Sequence, residues 1–134
     1  TTKQFIVGVS SAKMQPIHLE AIAREFPNLV CVCAHLGMPW YEEAVALARI
    51  LPNIYVDISG APGGWRAQKK ADFFSDLFFW PGAWEKVVWA SDVDYHSLPD
   101  ALARDRALEN TLALSAEKRA AFEGDTTKFL LNIT

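Results

Sequence analysis

Long hydrophobic runs are missing from this chain: no stretch approaches the roughly 20 consecutive apolar residues that a membrane-spanning helix needs. The opening residues, Thr1 to Val7, show neither the charged nor the apolar part of a secretory leader, so a soluble, cytoplasmic chain is expected. Cysteine is scarce. Cys31 and Cys33 are the only two, and their spacing suits neither a zinc ribbon nor a disulfide framework; buried thiols in a reducing compartment are the expectation. No cluster of lysine or arginine is long enough, with the formal charge of −3 spread among both signs, to read as a footprint for nucleic acid or an anionic membrane. A phosphate-cradling glycine motif is absent as well. Gly60-Ala-Pro-Gly63-Gly64 is not followed by Lys-Ser/Thr, and Ser10-Ser11-Ala12-Lys13 is a poor nucleotide turn. What remains is a small-molecule or protein partner.

What is present is a repeated alternation. Apolar, β-rich runs at Phe5 to Val9, Leu29 to Ala34, Ile54 to Ile58 and Lys86 to Ala90 are too short for helices and nearly continuous in hydrophobicity, as strands buried on both faces are. Helical patterns separate them at Ile17 to Phe26, Tyr41 to Leu51 and roughly Ala67 to Phe79, with a helical tail from Pro99 onward. Strand alternating with helix predicts a parallel α/β sheet of four βα units in one domain covering residues 1–134, with a repeat of about 25 to 32 residues. Pro27-Asn28 and Pro52-Asn53 each stop a helix and turn the chain into the next strand. Ser97 with Asp100 resembles a capping box, and Ser115 and Asp125 are candidate caps for the last two helices.

The segments that follow strands are longer than those that follow helices, and in α/β folds ligands bind where those longer loops gather. Two strands end there in side chains that can bind metal or move protons: Ala34-His35-Leu36-Gly37 and Ala90-Ser91-Asp92. By alternation, Cys31, Cys33 and His35 share one face of their strand, and Val88, Ala90 and Asp92 share one face of theirs, with small side chains suited to a crowded barrel interior. A neutral imidazole and a carboxylate are ligand types that hold zinc or manganese. Trp40 and Trp65 can form an aromatic wall, Arg66 an anion clamp for a substrate carboxylate, and His96 a substrate contact. His18 falls within a helical pattern and reads as a surface or packing residue.

The stretches Phe26-Pro-Asn-Leu-Val-Cys-Val-Cys-Ala-His35-Leu-Gly-Met-Pro-Trp40, Leu51-Pro-Asn-Ile-Tyr-Val-Asp-Ile-Ser-Gly60 and Val87-Val-Trp-Ala-Ser-Asp92 resemble the amidohydrolase-related metal-dependent hydrolases and decarboxylases with a TIM-barrel fold. The likeness runs from about Pro16 through the C-terminal helical segment Ala116 to Leu131. It implies that His35 lies beside a divalent metal, zinc or manganese, where it activates water or binds substrate, and that Asp92 is a metal ligand and proton-transfer group. It also implies that the chain is the C-terminal (β/α)4 half of an eight-stranded barrel, followed by extra C-terminal helices, to be completed by another barrel half or further polypeptide, with a homo-oligomer expected. The family usually carries a further metal-binding histidine at the end of its fifth strand, where Gly8, Val9 and Ser10 stand here. Three readings stay open: a hydrolase of small carboxylated or cyclic substrates, a non-oxidative decarboxylase on the same scaffold, and a catalytically silent half that serves as a structural partner.

Overall fold

Three short strands lie side by side in the order in which they occur along the chain. β1 (Cys31–Cys33) pairs in parallel with β2 (Ile54–Asp57), and β2 pairs in parallel with β3 (Val87–Val88). This computed structural model describes residues 10–133. The expected strand at Phe5 to Val9 lies outside the described residues. Helices α1 (His18–Glu25), α2 (Tyr41–Ile50), α3 (Ala71–Leu77) and α4 (Leu98–Thr111) alternate with the strands, and α5 (Ala116–Ala120) and α6 (Thr126–Leu131) follow. None of these helices is long and apolar enough to cross a membrane.

Register decides which side chains share a face. Cys31 sits opposite Ile54, and Cys33, Val56 and Val87 lie in one row across the sheet. Cys33, Ile54, Val56 and Val87 belong to the apolar core, together with Ala44, Val45, Leu47 and Ala48 of α2. The cysteines therefore face the helical layer and not a barrel interior, which corrects the expectation from alternation. The opposite face carries Val32, Tyr55, Asp57 and Val88. Gly37 is required where α2 approaches β1: its φ is +64°, and a Cβ there would come within 2.9 Å of Ala44 Cβ and 3.3 Å of Cys33 Sγ.

Polar side chains close the turns that lead into strands. Asn53 Nδ2 donates to the carbonyls of Ala23, Phe26 and Leu29 at 2.9 to 3.2 Å, sealing the end of α1 against the start of β2. Lys86 Nζ donates to the carbonyls of Leu51 and Pro52 beyond α2, and its ammonium stands 4.3 Å from the Tyr55 ring centroid. Burial pushes the Lys86 pKa below its ordinary value. These contacts tie the carbonyls at and just beyond the ends of α1 and α2 to the starts of the neighbouring strands.

Several elements end earlier than their apolar patterns do. The strand expected to Ala90 stops at Val88, and the helix expected from Ala67 begins at Ala71, after a separate 3-10 turn at Trp65–Gln68. Ser97 does not cap α4; Asp94 accepts from the backbone N–H groups of His96 and Ser97 one turn earlier. Ser115 does cap α5, accepting from Lys118 N. Asp125 makes no capping bond and pairs instead with Lys128 Nζ at 3.2 Å. Phe122, fully buried, docks the C-terminal segment edge-on against Trp84 with ring centroids 5.6 Å apart. An aromatic pair of this kind contributes about 0.5–1.5 kcal/mol beyond its buried area.

Candidate active site

β1 ends in an abrupt change of hand. His35, Leu36 and Gly37 hold φ of 54°, 53° and 64°, a left-handed turn that only glycine enters freely. Leu36 is completely buried, which anchors the turn, and the turn swings His35 out of the alternation of β1 toward the end of β2. There Asp57, the last residue of β2 and only 5% exposed, receives the His35 backbone N–H on Oδ1 at 2.9 Å. The same oxygen accepts from Ser59 N at 2.9 Å and from Ser59 Oγ at 2.6 Å. Ser59 Oγ is in turn 2.8 Å from His35 Nδ1.

Asp92 reaches this cluster from the end of β3. Its Oδ2 lies 4.0 Å from His35 Nδ1, too far for a hydrogen bond and close enough for a charge contact once the ring is protonated. Asp92 also holds a φ of +54°. Both side chains are nearly half exposed, so attraction between them is nearer the roughly 1 kcal/mol of two charges in water at this distance than the roughly 4 kcal/mol at an effective dielectric of 20. A cavity of about 390 Å³ opens beside His35, lined among others by Met14, His18, Val32 and Met38. His18, read from sequence as a surface or packing residue, thus shares a cavity with His35, and its Nε2 lies 2.7 Å from the Ala12 carbonyl.

The other residues singled out from sequence divide. Trp65 supports the site from behind: its Nε1 donates to the Ser59 carbonyl at 3.0 Å and its ring lies 5.3 Å from that of Tyr41. Trp40 is half-buried at the start of α2, its backbone N–H donating to the Gly37 carbonyl. His96 is exposed, stacked on Tyr95 with centroids 3.8 Å apart, and no bond ties it to His35 or Asp92. Arg66 points inward and not into the loop face. It is 4% exposed, and its Nη2 donates to Asp105 Oδ1 of α4 at 3.1 Å. Burial lowers its pKa, opposed by the Asp105 charge. Asp57, Ser59 and Asp105 escaped the sequence reading, although a charge within so apolar a run as Ile54 to Ile58 is itself a signal, because a buried carboxylate requires partners.

A catalytic zinc keeps three protein ligands. Asp92 is the expected ligand and His35 the side chain expected beside the metal, and among the described residues no group of three His, Cys, Asp or Glu side chains converges. The described residues alone therefore do not fit the expected zinc or manganese.

Comparison with known proteins gives the site its family. The family model described as "Amidohydrolase" matches residues 6–133. The protein fluG of Emericella nidulans is 32% identical over 50 residues, a stretch that covers 37% of this chain and 6% of that protein. No solved structure matches. With the family model spanning nearly the whole chain, and with it the His35, Asp57 and Asp92 strand ends, the chain belongs to the amidohydrolase family.

Proposed function

We propose that this chain supplies the His35–Asp92 part of a hydrolase active site that acts on a small carboxylated or cyclic substrate, within a barrel completed by further polypeptide. The observation that carries the reading is the 4.0 Å approach of two strand-end side chains, from β1 and β3, beside an open cavity. In this reading His35 Nε2 takes a proton from water as the water oxygen attacks a carbonyl carbon, and returns it to the leaving group as the bond to that group breaks. Asp92 faces the resulting imidazolium and stabilises its charge. The divalent cation typical of the family would polarise the carbonyl and lower the pKa of water. Its remaining ligands would come from outside residues 10–133.

The shortage of metal donors among the described residues supports a second reading, a catalytically silent barrel half that serves as a structural partner. Turnover of a panel of lactones, amides and carboxylated rings by the intact protein separates the two, with carbon dioxide release scored in parallel to expose a decarboxylase. We expect hydrolysis that His35→Asn abolishes. Equal turnover by wild type and His35→Asn would overturn the assignment.

A further inference from the structure

We propose that Ser59 and Asp57 are positioning residues that hold His35 with its proton on Nδ1, leaving Nε2 as the free basic atom. This deepens the reading of His35 as the base and rests on it for its consequence in catalysis, while the tautomer itself follows from the hydrogen bonds alone.

Asp57 Oδ1 already accepts two backbone N–H groups, from His35 and from Ser59. An oxygen so engaged has no room to carry a proton of its own toward Ser59. The contact between Ser59 Oγ and Asp57 Oδ1, at 2.6 Å, therefore needs the serine hydrogen, since two lone pairs at that distance repel. A serine hydroxyl has one hydrogen. With it given to Asp57, Ser59 Oγ can only accept from its other neighbour, His35 Nδ1 at 2.8 Å. Nδ1 must then be the protonated nitrogen of the neutral ring. Nε2 has no hydrogen-bond partner among the described residues, and His35 lines the cavity of about 390 Å³.

The arrangement is over-determined. Asp57 holds the backbone of His35 through its N–H and the ring through Ser59, so the left-handed turn and the ring orientation are set by one buried carboxylate. Trp65 fixes the Ser59 carbonyl from the other side, which keeps the serine from rotating away as a unit with its backbone. Orienting a histidine through the nitrogen that does no chemistry is how enzymes choose which nitrogen acts.

The test is a two-bond ¹H–¹⁵N correlation spectrum of the intact protein labelled with ¹⁵N-histidine, the His35 signals assigned by their loss in His35→Asn. We expect a protonated-type shift at Nδ1 and a lone-pair-type shift at Nε2 in the neutral ring. Ser59→Ala should move the ring toward the other tautomer, and Ser59→Thr, which keeps the hydroxyl, should restore it. Turnover of Ser59→Ala should fall about 10- to 100-fold, mostly in kcat, with recovery in Ser59→Thr. A wild-type ring protonated on Nε2, or a tautomer unmoved in a folded Ser59→Ala, overturns the proposal. If the tautomer behaves as expected while His35→Asn keeps full activity, the positioning stands and the reading of His35 as the base fails.

Discussion

Backbone φ is +54° at both His35 and Asp92, the two residues whose side chains meet at 4.0 Å. Left-handed backbone at a residue other than glycine costs on the order of 1–3 kcal/mol and persists where surrounding contacts enforce it. At His35 those contacts are visible: the Asp57 carboxylate on its N–H and the buried Leu36 next to it. Two such residues beyond the ends of different strands, converging on one point, are the geometry on which the proposed site rests.

The first expectation uses that geometry. Asparagine enters the left-handed region at least as readily as aspartate, so Asp92→Asn removes the charge without disturbing the backbone. On the proposed function, we expect kcat/KM of the intact protein to fall at least about 100-fold while the circular dichroism spectrum and melting temperature stay near wild type. Unchanged turnover would make Asp92 a loop residue.

Strand order and the meeting of His35 with Asp92 were legible because both depend on periodicity and on the rule that parallel strands present their carboxyl ends together. The facing of Cys31 and Cys33 was not, because alternation was extended through His35, and the left-handed turn breaks alternation at that residue. Asp57 was hidden inside the run Ile54 to Ile58 that read as a strand, and Ser59 opens the loop that follows it. The burial of Arg66 was not legible for a different reason: its partner Asp105 is 39 residues away in the middle of α4, and no local pattern announces a buried long-range ion pair.

That ion pair carries the second expectation. Asp105 accepts from Arg66 Nη2, from Arg104 Nε and Nη2, and from Trp89 Nε1, all at 3.0 to 3.2 Å. Arg104 Nη1 also donates to the Gly60 carbonyl, so one carboxylate links α4 to the loops beyond β2 and β3. Asp105→Ala strands a buried guanidinium and should cost about 3–5 kcal/mol, read as a lower urea midpoint at constant slope. The double variant Asp105→Ala/Arg66→Met should recover much of the loss. A shift below about 1 kcal/mol in the single variant would show that solvent reaches Arg66.

Cys33 gives a pH expectation with a definite sign. Burial foremost, then the charges of Asp57 and Glu43, push its thiol from 9.0 up to about 11. A neutral form favoured by folding stabilises the fold fully below the unfolded pKa near 9, and that stability drains away as pH rises toward 11. Two pK units correspond to on the order of 2–3 kcal/mol. Urea midpoints should therefore drop between pH 9 and 11 in the wild type and drop less in Cys33→Ala. At pH 8 iodoacetamide should label Cys33 at least about 100-fold more slowly in the native protein than in the urea-unfolded one, followed by mass spectrometry. Equal labelling rates would contradict the buried placement against α2.

The last expectation concerns what covers the sheet. A closed βα barrel has eight strands, and among the described residues three pair, with β3 joined only to β2. On the opposite side of the sheet Leu29, Val30 and Val32 are 49%, 41% and 44% exposed, and Ile22 and Phe26 of the adjoining helical segment are exposed too. Exposed apolar side chains of this kind, beside β1, whose outer edge pairs with no other strand among the described residues, invite another chain. Residues 1–134 produced alone should therefore sediment as oligomers or larger aggregates and bind a hydrophobic dye, and adding further polypeptide of the same barrel should suppress both. A stable, dye-silent monomer across a range of concentrations would refute the half-barrel proposal and leave a small open α/β sheet in its place.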